Sequence, residues 1–252
     1  MRRLAGLGLA ALLGSAAPAA AEEMQDRWTG ALTVYGWLTA IGGDISANRS
    51  GRQADFTFDV DQVLSNLDFA AFASLEVRRG RLGLLADVIY AKFSHAETIP
   101  GNLGARASGD LEMGLVTGAA AWRFYEAGTF FADVMAGGRL YTADVSVATS
   151  RANPRPESRS EWASATWFDP LVGLRVGVNL TDKLALKAFG DVGGFGVGSD
   201  IAWELYGGAS YAFTPTIRGE LGYRYLAFDY QADRAKVDVR MHGLALGVTF
   251  GF

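Results

Sequence analysis

The side chains of this sequence best suited to chemistry are two histidines, His95 and His242. Glu97 lies two residues after His95, and Asp229 lies on the predicted strand that precedes the one with His242. A histidine beside a carboxylate can act as a general base, so a hydrolase of the lipid-modifying or omptin-like kind is one hypothesis. Because the paired acids and the His–Asp dipeptide of omptins are missing, we favour two interfacial histidines and no enzyme activity.

Other candidate sites are weaker. The run Gly193–Asp200 is rich in glycine, but it lacks the lysine and the following helix of a phosphate-binding loop. The acids within Asp55–Asp61 fit a solvated loop better than a divalent-cation site. Cysteine is absent, which excludes disulfides and thiolate chemistry. We therefore expect no catalytic residue, no cofactor and no metal ion.

The N-terminus is typical of an exported protein. Arg2 and Arg3 precede the short apolar stretch Leu4–Leu13, and the small residues Ala19–Ala21 resemble a signal-peptidase site. We interpret residues 1–21 as a signal peptide and residues 22–252 as one domain. The mature chain would carry 21 basic and 27 acidic residues, a net charge of about −6, which argues against a nucleic-acid partner.

The C-terminal segment shows strict alternation of side-chain size. Large apolar residues occupy every second position up to the final phenylalanine, namely Leu244, Leu246, Val248, Phe250 and Phe252. Small residues, including Gly243, Ala245 and Gly247, occupy the positions between them. This period of two predicts a strand between lipid and a crowded barrel lumen. Leu246, Val248, Phe250 and Phe252 resemble the assembly signal of outer-membrane barrels, so the barrel-assembly machinery is an expected partner.

The same alternation extends through the chain and predicts about ten strands. Seven of these strands place apolar residues on one face and charged residues on the other. The predicted inward charges are Glu76, Arg78, Asp87, Asp133, Arg139, Asp169, Arg175, Lys187, Asp191, Glu204, Arg218, Glu220 and Arg224. Two strands are less clear, because Trp28–Ile41 is apolar on both faces and Asp110–Phe124 carries Leu or Ala on both.

The connections support a closed, antiparallel, up-and-down transmembrane β-barrel of the all-β class. Short turns at Arg79–Gly80, Glu126–Gly128, Thr181–Asp182 and Thr214–Pro215 alternate with outer connections. We predict those outer connections at Gly42–Asn66, Ser94–Gly109, Ser150–Ala163, Gly196–Asp200 and Gln231–Lys236. Eight or twelve strands would also fit, for example if Asp55–Val60 pairs.

Two features of the predicted loops bear on function. Asp61–Asn66 should form a short helical turn whose Val63 and Leu64 cover the barrel mouth. The charged segment Arg151–Glu161 should form the tip of a tall outer hairpin. That tip could contact lipopolysaccharide phosphates or another protein, or it could simply be solvated.

Three runs resemble a family of uncharacterised proteobacterial outer-membrane barrels, related in design to small OmpA-type and opacity-type surface barrels. They are Trp167–Arg175, Gly190–Asp200 and Gly222–Tyr225. The resemblance covers most of the mature chain and implies an outer-membrane location, but it implies no catalytic residue.

Together these features predict a structural or surface-interaction protein with a largely filled, salt-bridged lumen. A narrow porin-like channel for small solutes is the alternative, and a rim hydrolase or protease is the third hypothesis. The expected surroundings are outer-membrane lipids and lipopolysaccharide.

Overall fold

The computed structural model describes residues 27–47, 53–98, 106–151, 157–231 and 235–252, so the predicted signal peptide lies outside the described residues. The elements are β1 (Thr29–Ala47), β2 (Gln53–Phe58), α1 (Val60–Ser65), β3 (Leu67–Arg79), β4 (Leu82–Thr98), β5 (Arg106–Ala127), β6 (Phe130–Arg151), β7 (Glu157–Asn179), β8 (Leu184–Gly193), β9 (Ser199–Ala212), β10 (Ile217–Gln231) and β11 (Ala235–Gly251). In the described residues no helix has the length and apolar character needed to cross a membrane.

Ten antiparallel strands close into a barrel, which confirms the predicted fold class and strand number. Neighbours in sequence pair from β3 to β11, and β11 pairs with β1 to close the sheet. At the seam, Phe252 and Gly30 exchange two backbone hydrogen bonds, of 2.7 and 2.9 Å. Closure leaves no free sheet edge at the level of the seam, as a membrane-spanning sheet requires.

The barrel wall sorts side chains as the alternation predicted. Outward residues such as Leu174, Leu205 and Leu221 are exposed, whereas inward residues such as Asp133 and Glu204 are fully buried. An apolar exterior around a polar interior is the pattern expected for a barrel in lipid. We call the end with Thr29, Phe252 and the β3–β4 turn the inner end, and the opposite end the outer end.

The wall differs in height around the barrel. Strands β5, β6 and β7 have 22, 22 and 23 residues, whereas β8 has only 10. The predicted outer connections Ser94–Gly109 and Ser150–Ala163 were too long, because strand pairing continues to Thr98, Arg106, Arg151 and Glu157. Paired strands rising above the apolar zone no longer need apolar outward residues, so the apolar pattern ends before the strand does.

The first outer connection contains additional structure. β2 pairs only with the outer half of β1. It is therefore an eleventh strand that takes no part in closing the barrel. The short helix α1 lies one residue earlier than the predicted turn, and its Val63 is buried. Leu64 is 45% exposed, so the prediction that Leu64 also covers the mouth was wrong.

We predict that Gly243→Val destabilises the β1–β11 seam by about 1–3 kcal/mol, because overpacking strains the backbone. A Cβ atom at Gly243 would overlap the Leu38 carbonyl oxygen. Gly36→Val is the matched control, since a Cβ atom there meets no atom within 4 Å. Urea unfolding of refolded protein in detergent measures both changes, and an equal loss of stability in the two variants would contradict this account.

Candidate functional site

The inner half of the lumen holds a cluster of charges centred on Asp133. Its carboxylate accepts hydrogen bonds from Arg78 at 2.8 Å, from Arg123 at 2.9 Å and from Arg175 at 2.7 Å. Arg175 also forms a two-fold contact with Glu76, with both nitrogen–oxygen distances at 2.8 Å. The strands β3, β5, β6 and β7 each contribute one or two of these side chains. The cluster therefore links these four strands across the lumen.

The sequence analysis missed Arg123. Its guanidinium lies 4.1 Å from the centre of the Phe131 ring and pairs with Asp133. The alternation of side chains could have indicated its inward position, because Arg123 shares the parity of the inward-facing Thr117 and Leu115 on β5. Leu and Ala on both faces of that strand obscured it.

A second cluster lies farther toward the outer end and is centred on Glu204. Its Oε2 atom accepts a 2.5 Å hydrogen bond from Arg139, and its Oε1 atom lies 2.7 Å from Arg224 Nε. Arg139 also contacts Asp191 at 3.1 Å, and Arg224 contacts Asp87 at 3.1 Å. Glu204 is fully buried, so this cluster replaces water with side chains at the middle of the barrel.

Tyr35 completes the second cluster, and the sequence analysis did not assign it. Its hydroxyl donates to Asp87 at 2.8 Å and accepts from Arg224 at 2.7 Å. The strand that carries it is apolar on both faces, so parity alone could not indicate which side faces the lumen. Nearby, Lys187 pairs with Glu220 at 2.5 Å, and Glu220 also accepts a hydrogen bond from Thr249.

Aromatic rings fill the lumen on the outer side of the Glu204 cluster. Tyr141 stacks on Trp167 with ring centres 4.7 Å apart, and Trp167 stacks on Tyr230 at 4.2 Å. Phe228 packs against both Tyr141 and Trp167. With Leu226 also fully buried, these rings form an apolar layer across the interior.

Asp169 connects this layer to the β8–β9 tip. Arg139 lies directly opposite Asp169 in the β6–β7 pairing, yet Arg139 pairs with Asp191 and Glu204 instead. The Asp169 carboxylate accepts a 2.6 Å hydrogen bond from the backbone of Ser199. The Ser199 hydroxyl in turn accepts from the Trp167 indole at 3.0 Å. Asp169 therefore holds a loop rather than joining the charge cluster.

Arg218 is a second predicted lumen charge that does not join the network. Arg218 is exposed near the inner end, and it makes no ion pair with any described residue. It lies at the second position of β10, so its long side chain reaches solvent beyond the turn. Its place in the alternation of the strand was therefore not sufficient to bury it so close to the inner end of the barrel.

The two histidines are not paired with carboxylates among the described side chains. His95 Nδ1 lies 2.7 Å from the Asn66 side-chain oxygen, and His242 Nδ1 lies 2.7 Å from the Tyr223 hydroxyl. Asp229, the predicted partner of His242, contacts Lys236 at 2.7 Å instead. The side chain of Glu97 lies outside the described residues. No group of three or more potential metal ligands occurs in the described part of the chain.

An acidic row crosses the outer end of the wall. Asp229, Asp238, Asp44 and Asp55 are successive partners in the strand register. A hydrogen bond with Asp55 raises the pKa of Asp44 above its usual value. A hydrogen bond to Asp229 raises the pKa of Lys236. Asp55 is exposed, whereas Asp44, Asp229 and Asp238 are half-buried.

Known structures support the fold of this chain. It is similar to the outer membrane protease OmpT from Escherichia coli, with 11% identity, a TM-score of 0.60, and coverage of 90% of this chain and 97% of OmpT. It also matches Neisserial surface protein A, with 18% identity, a TM-score of 0.35, and coverage of 89% and 97%. No family model and no curated protein matches the sequence. The likeness to OmpT, at 11% identity, concerns the barrel fold and not activity.

We predict that Glu204→Gln lowers the free energy of unfolding by about 3 kcal/mol, because it leaves two buried arginines poorly compensated. Lys187→Gln is the control, since the Lys187 side chain is 37% exposed and should contribute about 1 kcal/mol or less. Urea unfolding in detergent compares the two variants, and equal losses would refute the central role of Glu204.

Proposed function

We propose that this chain is an integral outer-membrane protein whose closed lumen makes it a rigid anchor for its outer hairpins. The observation that carries the proposal is the succession of filled layers, in which the Asp133 cluster, the Glu204 cluster and the aromatic layer follow one another along the barrel. Small barrels of this kind are filled by side chains. The fold family and the apolar exterior support an outer-membrane location.

The buried charges argue against passage of solutes. Asp133 and Glu204 have no exposed surface, and each is contacted by arginines from other strands. A solute would have to separate these pairs, and removing one partner from a buried pair costs about 3–5 kcal/mol. The porin-like alternative therefore has less support than a closed barrel.

The tall hairpins support a surface role. β6 and β7 extend well beyond the roughly 9–11 residues that cross a membrane, and Trp162 on β7 is 81% exposed. Such a projecting β-sheet suits contact with lipopolysaccharide or with a protein outside the cell. In the same proposal, the C-terminal Phe252 is the feature that the barrel-assembly machinery recognises.

The arrangement of the histidines supports a protein without enzyme activity. A general base needs a partner that orients its ring and a nucleophile within hydrogen-bond reach. His242 is hydrogen-bonded to Tyr223 and stacks on Tyr225 with ring centres 5.6 Å apart. This ring is therefore part of the lipid-facing aromatic surface.

We predict that purified, refolded protein gives no discrete conductance steps in a planar lipid bilayer. Insertion is verified independently by resistance of the barrel to protease in the same vesicles, with a porin as the positive control for conductance. Regular single-channel steps from the wild-type protein would refute the closed lumen and would favour the porin-like alternative.

We also predict that His95→Ala and His242→Ala leave the protein unchanged in screens for lipid deacylation and peptide cleavage. The reason is that neither ring contacts a described carboxylate. An activity in the wild-type protein that either variant loses would revive the rim-hydrolase hypothesis.

A further inference from the structure

The tip of the β8–β9 hairpin, residues Gly194–Gly198, is exposed and apolar. Phe195 is 57% exposed and Val197 is 68% exposed. The outward residues immediately below them, Val192 and Ile201, are apolar and exposed as well. The apolar surface of the barrel wall therefore reaches the tip through Val192 and Ile201, with the exposed Asp200 beside it.

The length of β8 fixes the height of the tip. β8 contains 10 residues, which is about the number that a tilted strand needs to cross a membrane. Exposed apolar residues at its inner turn, including Leu180 and Phe213, lie where the inner interface is expected. The tip therefore lies at the opposite interface, whereas β7 continues well above it.

The backbone at Phe195 is strained. Its φ angle is 51°, and the flanking Gly194 and Gly196 have φ angles of 85° and 74°. Glycine adopts this left-handed region freely, but a residue with a large side chain does so at a cost. Phe195 occupies this region while 57% of the residue surface is exposed, so contacts within the chain do little to offset the cost.

Hydrogen bonds hold the tip in one shape. Gly194 donates to the Pro170 carbonyl at 3.1 Å, and Val197 donates to the Gly194 carbonyl at 2.9 Å. Asp169 anchors the following residue, Ser199, at 2.6 Å. The tip therefore presents Phe195 and Val197 in fixed, exposed positions at the end of the hairpin.

We propose that Phe195 and Val197 form a wedge that inserts into the outer leaflet and contacts the acyl chains of membrane lipids. The proposal rests on the membrane-embedded barrel of the proposed function. Continuity with the lipid-facing wall identifies lipid as the occupant, because Val192 and Ile201 lead directly into the wedge. Transfer of the exposed phenyl ring from water into hydrocarbon supplies the contact that the strained backbone lacks.

Spin labelling tests the wedge directly, since the absence of cysteine allows single labels. The variants are Phe195→Cys, Val172→Cys as a label on the lipid-facing wall, and Trp162→Cys as a label on the tall hairpin. The proteins are refolded into vesicles of phosphatidylethanolamine and phosphatidylglycerol. Power-saturation measurements then compare collisions with oxygen, which concentrates in lipid, and with a water-soluble nickel chelate.

The wedge predicts that the label at position 195 resembles the one at 172, with strong oxygen collisions and loss of the nickel effect. The label at 162 should show the reverse. If the nickel chelate reached the label at position 195 as readily as the label at 162, the wedge would be overturned. The exposed tip would then be available to a protein partner instead. If the label at 172 is also open to nickel, the barrel itself is not in lipid, and the proposed function fails with it.

A second measurement does not depend on a label. Phe195→Ser combined with Val197→Ser should lower the unfolding temperature in the same vesicles, because the serine side chains lose the apolar contact with lipid. Trp162→Ser is the control and should leave that temperature unchanged. Equal stability of the double variant and the wild type in vesicles would refute the wedge.

Discussion

Hydrocarbon offers no hydrogen-bond partner to a peptide group, so a sheet that crosses a membrane must close on itself. The pairing of β1 with β11 satisfies this constraint here, and the bonds between Gly30 and Phe252 complete it at the inner end. Closure divides every strand into an outward and an inward face. All later features of the structure, from the apolar wall to the buried charges, follow from this division.

The charges turned into the lumen must find partners there, because little water reaches them. Five arginines face five carboxylates in the two clusters, namely Arg78, Arg123, Arg139, Arg175 and Arg224 with Glu76, Asp87, Asp133, Asp191 and Glu204. Most members contact more than one partner from different strands. Such sharing links strands that are not neighbours in the sheet, so the clusters fix the cross-section of the barrel.

The sequence was sufficient to predict the sidedness of the wall, because alternation depends on each strand alone. It could not predict which charges meet, since Arg175 contacts Glu76 across 99 positions of sequence. Arg123 and Tyr35 were missed because the two faces of β5, and likewise of β1, have similar side chains. Arg218 was placed in the lumen because the alternation of side chains does not indicate how far along the barrel axis a residue lies. The length of β6 and β7 was underestimated for the same reason.

The strands of the barrel differ in height at its outer end. There the wall is uneven, since β7 rises with an exposed Trp162 while β8 ends at Gly193, just before the exposed Phe195. The Asp169 contact connects the two levels, because it joins β7 to the first residue of β9. The rigid lumen thus determines the position of the low tip as well as that of the tall hairpin. The proposed contacts with lipid and with partners outside the cell would in this way share one buried framework.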